Sequence, residues 1–272
     1  MPIQTQCLAV DGGRIAYGVD GSGPLVVCVP GLGDLRSSFR FFAPRLVDAG
    51  YRVATMDLRG HGDSDATFDR YDDVATSGDI LALIEHLGGG EPAIVTGNSL
   101  GGAAAAYAAA EKPAAIGDLV LLGAFLRDPA GSRLITLMQR ALLMRPWGPR
   151  AWNAYWAGLF KDDPPADLAE QRAAIRRSLA RRPYWTAFVA TTRTSHRPVA
   201  DRLGDVRTAA LVVMGTKDPD FRDPAAEAQW GVDRIGGQVV MVHGAGHYPH
   251  VEQPDRVADA TIAYLRGDRA DA

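Results

Sequence analysis

The chain contains two cysteines, three lysines and no apolar run of about 18 residues, and each shortage removes a class of protein. Cys7 and Cys28 both fall in apolar, strand-like runs, so neither a disulfide framework nor a thiolate metal site is expected. Acidic and basic residues nearly balance, at a net charge of -3 and a pI of about 6.1, so there is no basic surplus to grip a phosphate backbone and no nucleic-acid partner is expected. With only Lys112, Lys161 and Lys217, the positive charge is carried by 26 arginines, a bias to which no function is assigned. The opening MPIQTQCLAVDGGR lacks a basic start followed by an apolar run. Neither secretion nor membrane insertion is anticipated, no membrane partner is expected, and a reducing cytoplasm suits the cysteine content.

What is present is enough for a large core, since 47% of 272 residues are hydrophobic. Short β-type runs separated by turn signals, QTQCLAV, RIAYGV and PLVVCVP, predict an antiparallel hairpin followed by a buried strand. Strand and helix patterns then alternate. YRVATMD (51–57), PAIVTGN (92–98), IGDLVLL (116–122), TAALVVMG (208–215) and GQVVMVH (237–243) predict strands, with helices near 39–49, 73–87, 100–111, 224–234 and 254–266. Several of these strands are apolar at both alternating sets of positions, as expected of a mostly parallel sheet covered by helices on both faces.

Residues 126–197 break the rhythm. They show no convincing strand and suggest helices punctuated by RPWGP, DDPP and RRP, which predicts a helical insertion into a core made of 1–125 and 198–272. The insertion carries a net charge of +8, leaving -11 on the rest, and it holds Trp147, Trp152, Trp156 and Trp185. These aromatics are expected to fill the insertion's own core and its seam with the sheet, and some of them to roof a pocket. The surplus of arginine suggests a preference for neutral or anionic ligands, although pairing with the acidic body would account for it equally.

One short stretch carries chemistry. In VTGNSLGGAAAAYAAA a buried strand ends and a small-residue helix begins, with Ser99 on the bend. A sharp strand-to-helix turn forces an unfavourable backbone conformation at its apex and brings the residues two before and two after into contact. Gly97 and Gly101 remove that clash. The bend lifts the hydroxyl clear of the sheet, and the free amides of the helix start point into the same space.

Gly97-Asn98-Ser99-Leu100-Gly101 resembles the nucleophile elbow of the α/β-hydrolase family, although many members carry His where this chain has Asn98. PGLGD (30–34), DLRGHGDSD (57–65) and GAGHYPHVEQPDRV (244–257) resemble the family's other three loops, with Pro30 standing where a histidine is usual. The resemblance covers nearly the whole chain. It implies an α/β fold with a mostly parallel, doubly wound eight-stranded sheet and a helical cap inserted after the sixth strand.

The resemblance also assigns roles. A serine hydroxyl needs a base, and imidazole can serve at neutral pH. His247, after a strand running into a Gly-rich turn, is the expected base, with His250 as its substitute; His61 is expected to stabilise a loop, while His86, His196 and His243 are expected to be packing or surface residues. Asp218, just past a buried strand and 29 residues before His247, is the expected orienting acid. Asp128 is the alternative acid, whereas Asp220 and Asp223 suit a turn and a helix cap. The oxyanion is expected to meet the backbone N–H groups of Leu32 and Leu100. Gly31, Gly33, Asn98, Trp152, Trp156 and Trp185 are expected to face the substrate.

Other chemistries lack their residues. An Asp at the elbow would suit dehalogenation or epoxide opening, and Ser99 argues against both. GLGD is no dinucleotide fingerprint and GNSLGG is no P-loop, so no cofactor is expected. His243, His247 and His250 straddle a turn rather than sharing a helix face, so no metal is expected either. The resulting expectation is a serine hydrolase of a carboxylic ester or lactone, acting on a small molecule as a monomer or homodimer. Alternatives on the same residues are carbon–carbon bond hydrolysis, acyl transfer, a cofactor-free lyase or oxidase, and a small-molecule receptor that keeps the fold.

Overall fold

The structure, a computed structural model, describes residues 4–88, 90–128 and 141–267. Asp11 and Gly12 close a two-residue hairpin between β1 (Gln6–Val10) and β2 (Gly13–Asp20), and Gly12 supplies the positive φ of +89° that such a turn requires. β2 then pairs antiparallel with β4 (Arg52–Met56). From there the sheet is parallel through β3 (Leu25–Val29), β5 (Ala93–Asn98), β6 (Ile116–Leu122), β7 (Ala210–Gly215) and β8 (Gly237–Val242), in the order β1-β2-β4-β3-β5-β6-β7-β8. The expected eight-stranded, mostly parallel sheet is therefore present.

Period-two alternation of wholly apolar strands gives the sheet two buried faces. In β3, Val27 and Val29 enter one core while Val26 and Cys28 enter the other; in β7, Ala210, Val212 and Met214 oppose Leu211 and Val213. Helices α2 (Asp73–Leu87) and α3 (Leu100–Glu111) cover the first face, together with α8 (Pro224–Ile235). On the second lie α1 (Phe42–Asp48) and α10 (Pro254–Leu265), through Phe42, Leu46, Val257 and Ala258. The alanine run of α3 is almost fully buried, and its small side chains allow the close approach to β5 and β6. Asp72 and Asp223 cap α2 and α8 by accepting from Ala75 N and Ala226 N, the second ahead of Pro224 as expected.

Between β6 and β7 the described residues form α4 (Gly148–Ala157), α5 (Leu168–Ala180), α6 (Arg182–Thr191) and α7 (Arg197–Arg202), and no strand. Residues 129–140 of the expected insertion lie outside the described residues. α4, α5 and α6 build a third core from Trp152, Trp156, Leu159, Phe160, Ile175, Leu179, Trp185 and Phe188, closed from below by Tyr248 and Val251. α7 returns to the main body, where Val199 joins the core beneath α3. Polar contacts also cross the seam, among them the Arg40–Asp167 pair and Arg181 with the Gly62 carbonyl, but both pairs are partly solvated. Such a pair contributes at most about 1 kcal/mol. Burying one Trp or Phe side chain contributes roughly 2–3 kcal/mol, so the aromatic seam holds these helices down.

Two glycines separate conformational from steric demand. Gly78 lies inside α2 with open space where a Cβ would stand, so Gly78→Ala is expected to raise stability by about 0.5–1 kcal/mol. A Cβ on Gly97 would stand 2.3 Å from the Gly101 carbonyl oxygen, a backbone atom that cannot move aside. Gly97→Ala is expected to cost about 3 kcal/mol or to abolish folded yield, with both variants read by urea unfolding.

Candidate active site

The loops after β3, β4, β5, β6, β7 and β8 open on one edge of the sheet, where the strand carboxyl ends of an α/β fold present their side chains. Ser99 occupies the junction of β5 and α3 with φ +55° and ψ -120°, and it is the one non-glycine residue of positive φ among the described residues. That strained conformation is tolerated because the surroundings over-determine it. Ser99 N donates to Leu122 O at 2.9 Å, and Ser99 O accepts from Gly102 N and Ala103 N. A Cβ on Gly101 would stand 2.4 Å from Val29 O, so β3 also presses on the turn.

His247 sits after β8 and Asp218 after β7, and both are buried. His247 Nδ1–H donates to Asp218 Oδ2 at 2.7 Å, which leaves Nε2 as the ring's free base position. Asp220 stands 3.7 Å from the same nitrogen and accepts a hydrogen bond from the Tyr155 hydroxyl of α4. Burial opposes a charged imidazolium here, but the Asp218 and Asp220 carboxylates outweigh it and lift the His247 pKa to about 9. The ring is boxed by Phe125, Phe221 and Tyr248, with centroids 5.8, 6.4 and 5.3 Å away. Gly123, at the end of β6, lies directly beneath the pair. A Cβ there would come within 3.3 Å of both Asp218 Oδ2 and His247 Nδ1.

Leu32 belongs to the loop after β3. A Cβ on the preceding Gly31 would stand 2.9 Å from Ser99 Cβ, so this loop lies against the elbow. The amide of Gly33 is held by His61, whose Nε2 accepts from Gly33 N at 3.0 Å while Nδ1–H donates to Arg59 O at 2.8 Å. Those two bonds require a neutral ring, and burial keeps it so by lowering the His61 pKa to about 4. Asp34 turns toward α5, accepting from Leu35 N and from Gln171 Nε2, and burial raises its carboxyl to about 6.

Trp152 lies against Gly33, where an added Cβ would strike the indole at 2.3 Å. Trp156 and Phe160 pack on Tyr248, the neighbour of His247, and Trp185 lies deeper, against Phe188 and Gly148. Asn98 is fully buried, and its Nδ2 donates to Leu122 O and to His247 O, tying the base's loop to the elbow. Asp128, the alternative acid, bonds Ser195 Oγ and His196 N on an exposed loop, and His196 itself bonds Asp73. The substitute base His250 stacks on Phe39 at 4.9 Å, and neither of its ring nitrogens has a hydrogen-bond partner among the described residues. Burial lowers its pKa to about 3.

Glu252 escapes a sequence reading. Its oxygens accept from Gly246 N and Lys161 N, both at 2.7 Å, and so join the residue before His247 to the segment after α4. His247 N also donates to Leu159 O in that segment. The signal available in the sequence was only an acid five positions beyond the histidine, where α9 (Pro249–Glu252) presents it.

Of the insertion's arginines, Arg177 and Arg181 line a cleft that they share with Arg36, Arg40 and Asp57. The arginines of 141–197 are exposed or half-buried, whereas the acids nearest His247 are the buried Asp34 and Asp218 and the half-buried Asp220. Asp218, Asp220 and His247 are the group whose ligand atoms come within 4.8 Å of one another, as a metal would need, but Nδ1 and Asp218 already share a proton there. No helix of the described residues is long and apolar enough to cross a membrane.

A family model described as "Alpha/beta hydrolase family" matches residues 26–260. The chain is 29% identical over 277 residues to 2-(acetamidomethylene)succinate hydrolase of Mesorhizobium japonicum, covering 94% of each. It is 26% identical over 264 residues to 2-hydroxy-6-oxo-6-phenylhexa-2,4-dienoate hydrolase of Comamonas testosteroni, covering 93% of this chain and 91% of the other. Its fold is shared with a thermophilic esterase from Thermogutta terrifontis, at a TM-score of 0.78 and 24% identity over 97% of this chain and 98% of that one.

His250 yields a stability test. Its folded pKa lies below the unfolded value near 6.5, so its contribution is intact above that pH and is lost as the pH falls toward 3. His250→Phe keeps the stack on Phe39 and removes the titration. The variant is expected to be at least as stable as wild type at pH 7 and to lose up to about 4 kcal/mol less between pH 6.5 and 3, measured by urea unfolding.

Proposed function

The chain belongs to the alpha/beta hydrolase family and is an enzyme, and from that premise we propose that it cleaves a carboxylic ester or lactone through an acyl-enzyme on Ser99. The observation that carries this reading is the strained Ser99 backbone at +55° on the same sheet edge as a buried imidazole whose Nδ1–H is held by a carboxylate at 2.7 Å. His247 Nε2 removes the proton as Ser99 Oγ attacks the carbonyl carbon, and Asp218 stabilises the imidazolium that results. The oxyanion meets the N–H of Leu100, whose position opening α3 leaves it without an intrahelical acceptor, and the N–H of Leu32. Each such donor contributes about 3 kcal/mol to the transition state. The imidazolium then protonates the leaving alkoxide, and water, deprotonated by His247, releases the acid.

The Gly33–His61 bond supports the Leu32 assignment, because it fixes the loop on which that amide is carried. A second reading, hydrolysis of a carbon–carbon bond by the same residues, is favoured by the relationship to the Comamonas hydrolase. Comparing turnover of short-chain aryl esters with that of a vinylogous diketone separates the two.

Ser99→Ala is expected to abolish both labelling by a fluorophosphonate and turnover of aryl esters; a normal rate in that variant would refute the mechanism. Because the base must be neutral and its neighbours hold the proton on, kcat/KM is expected to rise with pH through an apparent pKa above the ordinary 6.5. Asp218→Asn is expected to lower kcat by about 10⁴ and to move the residual ascending limb to lower pH, since the dominant carboxylate is gone.

A further inference from the structure

Five large apolar side chains are exposed among the described residues, and three of them fall within six positions: Leu142, Met144 and Trp147, at 53, 56 and 51%. They do not belong to a loose end. Leu143, between the first two, turns inward and packs on the core of α4, α5 and α6. Met144 N donates to Ala141 O, Gly148 N donates to Met144 O at 2.7 Å, and the Trp147 indole N–H donates to Ala141 O at 3.0 Å. Arg145 reaches the Ala180 carbonyl at the end of α5. The turn is thus closed by three hydrogen bonds of its own and anchored by Leu143 and Arg145, while it holds three apolar side chains in water, an arrangement that costs solvation.

Charge identifies what would cover it. No Asp or Glu occurs from residue 129 to 161, nor from 171 to 200. Around the turn stand exposed Arg145 and Arg150, and the Ala180 carbonyl that Arg145 grips leads, past Arg181 at the Gly62 carbonyl, to exposed Arg182. A second copy of the same face would set arginine against arginine. A surface that is apolar beneath and anionic above satisfies both features, because Leu, Met and Trp enter the acyl boundary while guanidinium groups remain among phosphates.

We propose that this corner of the α4–α6 layer docks the protein on an anionic lipid surface. The expectation of no membrane partner concerned spanning segments, and peripheral docking needs none. The inference stands apart from the catalytic reading, since Ser99, Asp218 and His247 take no part in it.

The test is sedimentation with vesicles of phosphatidylcholine alone and of phosphatidylcholine mixed with phosphatidylglycerol. The protein is expected to pellet with the mixed vesicles, to leave them as salt rises, and to bind neutral vesicles at least about tenfold more weakly. Leu142→Ser/Met144→Ser/Trp147→Ser is expected to lose at least about tenfold in affinity for the mixed vesicles while keeping its unfolding midpoint and its rate on a soluble ester. Failure to bind either vesicle, or undiminished binding by a triple variant that melts normally, would overturn the proposal. So would a concentration-dependent dimer of the wild type that the triple variant abolishes, which would assign the turn to a second copy of the chain.

Discussion

A backbone contact that only hydrogen atoms permit underlies the catalytic edge. The β5–α3 turn brings residue 97 onto the carbonyl of residue 101, residue 101 onto the β3 backbone, and residue 31 onto the Ser99 side chain. Glycine at these three places lets the strand fold straight back into a helix. The strain of that turn then concentrates in one residue, Ser99, whose left-handed φ lifts its hydroxyl away from the sheet. The closely packed alanines of α3 serve the same end, since a bulkier helix would stand too far from β5 to hold the bend.

Around that contact the electrostatics are set by burial and by which buried ring has carboxylates beside it. His247 is kept protonated at Nδ1 by two carboxylates in a site walled by aromatic rings, while the neutral His61 uses both its nitrogens to hold the loop that meets the elbow. Two histidines in one neighbourhood thereby acquire opposite tendencies, one drawn toward charge and the other held from it. The loop bearing His247 is fastened on both sides, to Asn98 beside the nucleophile and, through Glu252 and Leu159, to the helices above. Displacing those helices would therefore disturb the base itself.

The strand and helix periods read from the sequence correspond closely to the observed elements, because a sheet buried on both faces needs apolar runs that turn signals must end. The elbow was legible for a related reason: a turn that excludes Cβ atoms leaves glycines in the text. Gly123, Glu252 and Asp34 were not legible. Each takes its place from a neighbour far away in the chain, Gly123 beneath the His–Asp pair, Glu252 between two backbone amides, and Asp34 against Gln171 of α5. The arginine surplus was visible as composition, but its placement was not: the described arginines of 141–197 are exposed or half-buried, and two of them, Arg177 and Arg181, line a cleft with Arg36 and Asp57.

Local stereochemistry and hydrophobic period were enough, by themselves, to determine the order of elements, the class of fold and the residue on the bend, since those depend on neighbours within a few positions. The tertiary structure alone decided that His196 also bonds a carboxylate, that of Asp73, that His250 stacks on Phe39 with no hydrogen-bond partner among the described residues, and which face of the inserted helices meets water. Those outcomes turn on burial and on partners more than a hundred residues apart, and a linear order of side chains contains neither.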